Sequence, residues 1–240
     1  MEKLDGQIVK IFARIRAFFV LFEFVITVLV TIVLMYMFRN NTHPIRNTWA
    51  KLQTYLMGFT IKPQGEASEK TTLLVMNHQS LLDIVTFEAI YPKNLCWIAK
   101  KEIEKIPLFG HIIPAPRMIS IDRKDKRSMI KMIKEGKERL SEGRVLAIFP
   151  EGTRGRGGKL LKFQSGAKIL AEKLDLIVQP AIIIGTRHVL DSQNFTANGG
   201  DVHVIYLDPI NPKEDEQWYE KMHDAMNHAL TQALQEHSTK

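Results

Sequence analysis

The stretch from Ala17 to Phe38 limits what this chain can fold into more than any other part of it. Its 22 residues, AFFVLFEFVITVLVTIVLMYMF, carry one charge, Glu23. As a helix it extends roughly 33 Å, enough to cross a hydrocarbon core of about 30 Å. A cleaved signal peptide is not expected, because the apolar region is too long and no small-residue cleavage site follows it. Basic residues flank both ends: Lys3, Lys10, Arg14 and Arg16 before it, and Arg39, Arg46 and Lys51 after it. The positive-inside rule disfavours translocating either flank, which argues against a simple span.

A second helix over Pro44 to Phe59 offers another solution. It carries Ile45, Trp49, Leu52, Leu56 and Phe59 at helical spacing, with Arg46 and Lys51 between them, the pattern of an interfacial helix. Residues 1–60 are therefore expected to form membrane-associated helices, a hairpin lying in one leaflet being favoured over a single span. Glu23 is then either a carboxylate with a partner or a sign that the helix is not deeply inserted, and the second reading is favoured.

After Gly58 the pattern changes. Short apolar runs read as strands at Thr71–Met76, Leu95–Ala99, Met118–Ile121, Val145–Phe149, Leu176–Ile184 and Val202–Leu207. Helical stretches alternate with several of them, at Ser80–Ile90, Lys126–Leu140, Gln164–Leu174 and about Glu214–Glu236. This alternation predicts an α/β domain over residues 61–240, with a central, mostly parallel sheet flanked by helices. Chemistry is expected in the loops at the strand ends.

Charge narrows the ligand class. From Lys93 to Lys173 there are 20 Lys and Arg against 9 Asp and Glu, within a chain of net charge +7. Such a field attracts anions: nucleic acid, anionic lipid headgroups or phosphorylated substrates. No nucleic-acid-binding motif is present and a membrane segment is an odd companion for one, so no nucleic-acid partner is expected. The single cysteine, Cys96, permits no intrachain disulfide and sits in the apolar run Leu95–Ala99, where it reads as a packed core thiol. No Cys/His cluster has zinc-like spacing, so neither a metal nor a cofactor is expected.

Three segments carry candidate chemistry. The first is Asn77-His78-Gln79-Ser80-Leu81-Leu82-Asp83, directly after the run TTLLVM. Five residues apart, His78 and Asp83 cannot share one face of a helix. With Ser80 as a helix cap, His78 lies in the preceding turn and Asp83 in the first helical turn, able to fold back onto the imidazole. An alcohol is a poor nucleophile near neutral pH until a base removes its proton, and a carboxylate fixes that base's tautomer. Ser80-x-x-Asp83 also resembles a capping box, so a purely structural reading stands beside the catalytic one. The second segment is Phe149-Pro150-Glu151-Gly152-Thr153-Arg154, where a buried strand gives way to Gly and a phosphate-binding fork on Arg154. The third is Ile119-Ser120-Ile121-Asp122-Arg123, and Lys100 and Lys101 close a further strand.

Together these segments resemble the glycerolipid acyltransferase family, in particular its 1-acyl-sn-glycerol-3-phosphate acyltransferases. The resemblance rests on NHQSLLD, a His and an Asp separated by four residues, and on a complete FPEGTR, in family order over about Asn77 to Ala181. It implies that His78 is a general base and Asp83 its orienting carboxylate. It further implies that Glu151, Gly152, Thr153 and Arg154 bind the acceptor phosphate, assisted by Arg123. Lys100, Lys101 and Lys105 lie where relatives carry a basic cluster, and Pro180, in Ile177–Ala181, corresponds to a motif that shapes the acyl site. The implied reaction moves a fatty acyl group from acyl-CoA or acyl carrier protein to the sn-2 hydroxyl of lysophosphatidic acid, giving phosphatidic acid for phospholipid synthesis, and the expected location is the cytoplasmic face of the inner (plasma) membrane. The competing expectations are the same chemistry on another lysophospholipid and a basic adaptor on membrane lipids without turnover.

Overall fold

The computed structural model describes residues 2–122, 125 and 127–238. The apolar N-terminus forms α1 (Glu2–Met37), followed by a short 3-10 turn at Arg39–Asn41 and α2 (Thr42–Leu56). One face of α1 is buried through Ala17, Val20, Phe24, Val28, Ile32 and Met35, at intervals of three or four residues. The other leaves Phe18, Phe19, Phe22, Val25, Ile26, Val30 and Val33 exposed. The expected hairpin is present, but α2 differs from its expected form in two ways.

It ends at Leu56. Met57 N–H donates to Gln53 O, and Gly58 takes a left-handed φ of 63°, so Phe59 opens a strand instead of closing the helix. The inward face of α2 is also polar, its buried residues being Arg46, Ala50 and Gln53. Arg46 is not an interfacial cation: it is 3% exposed and donates to Glu88 and to Asn94 Oδ1. Gln53 Nε2 donates to Glu23 Oε2 at 3.3 Å and to Thr27 Oγ1 at 3.0 Å. Glu23 is thus a carboxylate with a partner on the facing helix, the less favoured of its two readings.

The remaining elements are β1 (Phe59–Gln64), β2 (Leu73–Met76), α3 (Leu82–Ile90), β3 (Leu95–Lys100), α4 (Lys101–Glu104), β4 (Ile119–Ile121) and α5 (Arg127–Ser141). They continue with β5 (Val145–Ile148), α6 (Ser165–Lys173), β6 (Val178–Ile184), α7 (Thr186–Val189), β7 (Leu190–Asp191), β8 (Thr196–Ala197), β9 (Gly200–Tyr206) and α8 (Trp218–Ser238). Seven strands form one sheet in the order β1-β9-β6-β2-β5-β3-β4, and β7 pairs with β8 in a separate hairpin. Every pairing in the large sheet is parallel except β6 with β9. The structure has the expected α/β class, a central sheet flanked by helices, with the N-terminal apolar hairpin packed on it.

Helices cover both faces, which is why the central strands are continuous apolar runs; β2 is buried throughout. On one face Leu74, Met76, Ala147 and Ile183 pack with α1, α2 and α3. On the other, Leu73, Val75, Leu146 and Ile182 pack with α5, α6 and α8, and Cys96 lies in this second core. β1 was not expected, because its sequence FTIKPQ is largely polar and contains Pro63. Proline is tolerated on an edge strand, where its missing N–H interrupts no ladder, and β1 is the edge.

The five strands β6, β2, β5, β3 and β4 deliver their carboxyl ends to the same side of the sheet. From β2 the chain passes through α3 to β3 on one side, and from β5 it later crosses back to β6 on the other. Open parallel sheets bind ligands at such a reversal of direction.

Candidate active site

His78 stands just past the carboxyl end of β2. Its Nδ1 lies 2.7 Å from Asp83 Oδ2. The capping arrangement differs from expectation: the residue preceding the helix is Leu81, and Ser80 does not fill that position. Ser80 Oγ instead donates to Leu190 O at 2.7 Å, and Asp83 gathers the amides that a cap would take, Gln79 N at 2.6 Å and Ser80 N at 2.9 Å. The Thr186 hydroxyl donates to the other carboxylate oxygen at 2.6 Å. Asp83 is completely buried yet fully hydrogen-bonded, as a buried charge must be.

The turn itself is pinned from β6. Asn77 Nδ2 donates to Ile183 O at 2.9 Å, and Asn77 Oδ1 accepts from Ile183 N at 2.7 Å. The imidazole stacks on Phe149, with ring centroids 4.0 Å apart, and Phe149 stacks in turn on Trp97 at 5.4 Å. Carboxylate and aromatic ring together fix the orientation of the imidazole. Since Nδ1 faces Asp83, Nε2 is the nitrogen left to exchange a proton with a ligand.

The FPEGTR segment leaves β5 beside this turn. Gly152 N–H donates to Phe149 O at 3.0 Å, closing a turn in which Gly152 has φ 68°, a conformation suited to glycine. Glu151 was expected at a phosphate, but both of its carboxylate oxygens are taken by backbone amides. His78 N–H donates to Oε1 at 2.8 Å and Leu161 N–H to Oε2 at 2.8 Å. Burial pushes its pKa above the ordinary carboxylate range despite these two bonds. Four residues after Glu151, Gly155 N–H donates to His78 O at 2.7 Å, so the loop grips the backbone of His78 on both sides.

The other expected residues lie at varying remove. Arg154 is half-buried, its Nη1 donating to Ser192 Oγ at 2.8 Å, while Thr153 is exposed. Lys100, Lys101 and Lys105 are exposed at the end of β3, two strands from β2 with β5 between. Pro180 is buried within β6, opposite Val75 of β2. Arg123 lies outside the described residues. Asn77, Thr186 and Ser192 were not singled out from sequence. Asn77 sits inside the recognised motif, whereas Thr186 and Ser192 carry no local signal. Among the described residues no group of three or more His, Cys, Asp or Glu could hold a metal ion.

Comparison with known proteins shows the family and the fold. A family model described as Acyltransferase matches residues 59–184. The chain is 42% identical over 173 residues to the 1-acyl-sn-glycerol-3-phosphate acyltransferase of Helicobacter pylori, covering 71% of this chain and 73% of that protein. It is 34% identical over 162 residues to the enzyme of that name from Limnanthes douglasii, spanning 67% of this chain but 58% of the plant protein. The crystal structure of the 1-acyl-sn-glycerophosphate acyltransferase PlsC from Thermotoga maritima superimposes with a TM-score of 0.72 at 23% identity, covering 95% of this chain and 97% of that one, and so shares the fold. With a family match over more than half of its length and a bacterial relative of this similarity, the chain belongs to the acyltransferase family.

Proposed function

We propose that this protein transfers a fatty acyl group from acyl-CoA or acyl carrier protein to the sn-2 hydroxyl of 1-acyl-glycerol-3-phosphate, releasing phosphatidic acid for phospholipid synthesis. The observation that carries this reading is the 2.7 Å contact between His78 Nδ1 and Asp83 Oδ2 at the mouth of the sheet. The relatives' names supply the acceptor.

In this mechanism the acceptor phosphate docks on Arg154, with Arg123 assisting, and its free hydroxyl lies against His78 Nε2. The imidazole takes the hydroxyl proton as the oxygen attacks the thioester carbonyl, and Asp83 stabilises the resulting imidazolium. The tetrahedral intermediate collapses by breaking the carbon–sulfur bond. The departing thiolate then takes the proton back from His78, so no acyl-enzyme forms. Glu151 acts as a brace that holds the His78 turn, and Gly152 supplies the left-handed bend that lets the loop close beside it. Lys100, Lys101 and Lys105 add to the positive field that draws anionic substrates to this edge, and Pro180 contributes to the wall near the acyl chain.

The reaction belongs at a lipid surface. The helix Val9–Met37 is long and apolar enough to cross a bilayer. Its buried stripe, however, runs along the protein from Ala17 to Met35, which favours α1 lying in one leaflet with its exposed phenylalanines in lipid. The cytoplasmic leaflet is the side on which both thioester carriers are found. The deciding experiment is transfer from a radiolabelled acyl thioester to lysophosphatidic acid, with the product identified, run beside acceptors that lack the phosphomonoester. Formation of phosphatidic acid supports the reading, and equal use of acceptors without the phosphate would remove it.

A further inference from the structure

A cleft of about 510 Å³ opens beside the loop that grips His78. Gln79, Arg156, Gly157, Arg187, His188 and Asp191 line it. We propose that this cleft is an anion subsite that takes a phosphate group of the thioester donor's carrier, a proposal that rests on the acyl-transfer reading above.

The floor of the cleft contains a donor that the fold does not use. Gln79 is 8% exposed, and its Nε2 has no hydrogen-bond partner among the described residues. A buried amide without an acceptor is costly, and a phosphate oxygen in the cleft would satisfy it. The wall opposite is shaped for close approach. Gly157 has φ 92°, and a Cβ there would lie 3.4 Å from Gln79 Oε1. Beside it, Arg156 is exposed, with no hydrogen bond or ion pair to any described residue.

Arg187 supplies the second cation, and its geometry is fixed in advance. Its Nε donates to Asp191 Oδ2 at 2.9 Å and its Nη1 to Gly155 O at 3.4 Å. The charge of Asp191 balances that of Arg187, and its oxygens are held in place by the residues that follow it. Oδ1 accepts from Gln193 N and Asn194 N, and Oδ2 also accepts from Asn194 Nδ2 at 2.8 Å. With Arg187 paired to Asp191, the exposed Arg156 leaves the cleft with a surplus positive charge.

The connection to the reaction runs through Gly155. Its N–H holds His78 O, and its own carbonyl meets Arg187, so the subsite and the base share one loop. Arg154 on that loop turns to Ser192, while Arg156 lines the cleft. Two phosphate-bearing substrates must meet at His78, and the loop presents one arginine to each. The shared chemistry on the donor side is a phosphate ester. Coenzyme A carries a 3′-phosphate and a pyrophosphate, and acyl carrier protein carries a phosphopantetheine phosphodiester.

The test compares the full-length wild type with Arg156→Gln and Arg187→Gln in detergent micelles. Donor kinetics are measured with acyl-CoA, its analogue lacking the 3′-phosphate, and acyl carrier protein, alongside calorimetric binding of free coenzyme A. Loss of one charge-assisted contact is expected to lower kcat/KM for the donor and the affinity for coenzyme A about tenfold, while the apparent KM for the acceptor holds. A loss confined to acyl-CoA identifies the 3′-phosphate as the occupant, and a loss with all three donors identifies the phosphate next to the pantetheine arm. Arg156→Lys should recover part of the loss. Unchanged donor kinetics and coenzyme A affinity in both variants overturn the proposal, as does a rise in the acceptor KM alone. Wild-type protein that binds coenzyme A through Arg156 yet transfers no acyl group would keep the subsite and sink the acyl-transfer reading.

Discussion

Asp83 Oδ2 lies 2.7 Å from His78 Nδ1 while the same oxygen accepts the amides of Gln79 and Ser80. The carboxylate is therefore immobilised by the backbone of the very turn that carries the histidine. Asp83→Asn can keep these contacts by presenting its carbonyl to the turn and its amide to the Thr186 hydroxyl, which can also accept. The fold should survive and only the charge that stabilises an imidazolium should go. We expect kcat to fall by about 10²–10⁴ with the acceptor KM little changed, and His78→Ala to lose at least as much. Steady-state rates on purified protein, with circular dichroism to check folding, provide the measurement. Near-normal kcat in either variant would end the assignment of His78 as the base.

Arg154 is the cation most directly attached to the loop beside His78, and Ser192 anchors it. Arg154→Ala should act on acceptor binding before chemistry. A charge-assisted phosphate contact is worth about 1.5–3 kcal/mol, so the acceptor KM should rise roughly 10–150-fold. Ser192→Ala, which frees the guanidinium without removing it, should show a smaller rise. Rates measured across acceptor concentrations separate the two, and an unchanged KM in Arg154→Ala would remove that residue from the phosphate site.

Glu151 gives a test that reads stability. Its carboxyl is held above the ordinary range mainly by burial, so the folded protein keeps this proton at pH values where the unfolded chain has lost it. In that window the folded state binds more protons, and stability falls as pH rises from the ordinary carboxylate value through the raised one. Glu151→Gln cannot ionise, so the stability difference between wild type and variant should vary with pH across that window and level off above it. The variant should also lose kcat, since its amide nitrogen would face one of the two N–H groups that Glu151 accepts. Denaturation midpoints over a pH series check the first point; a pH-independent difference would contradict it.

What could be read from sequence follows from the range of the interactions. Leu95–Ala99 and Val145–Phe149 were legible as strands because a parallel strand covered on both faces must be apolar along its length. The His78–Asp83 pair was legible because both partners lie in one short motif. Thr186 was not, since it meets Asp83 across 103 residues, and neither was the grip of Asn77 on Ile183 across 106. Glu151 misled for a related reason. A carboxylate in a polar loop reads as solvent-facing or ligand-facing until the His78 and Leu161 amides are found on it. Arg46 looked like a headgroup-facing cation because its helix has apolar residues around it, and only the fold places Glu88 and Asn94 against it.

That buried cation supports the last prediction. Arg46 of α2 donates to Glu88 of α3, and both side chains are 4% exposed. Glu88 Oε1 also accepts from Trp97 Nε1 at 2.7 Å, and Trp97 supports the Phe149 ring on which His78 lies. Removing Arg46 alone leaves a carboxylate unpaired in a dry core, at a cost of about 3–5 kcal/mol. For a chain of this size that corresponds to a fall in Tm of roughly 6–20 °C. Arg46→Met combined with Glu88→Gln removes the orphaned charge while keeping an acceptor for Trp97, so it should recover most of the loss. Thermal unfolding of the two single variants and the double variant in detergent gives the coupling between the sites directly. If the double variant is as unstable as the sum of the singles, the pair is not what joins the hairpin to the domain. If it regains Tm and kcat together, the two side chains are coupled, and the orphaned charge is what disturbs the aromatic stack behind His78 in the single variants.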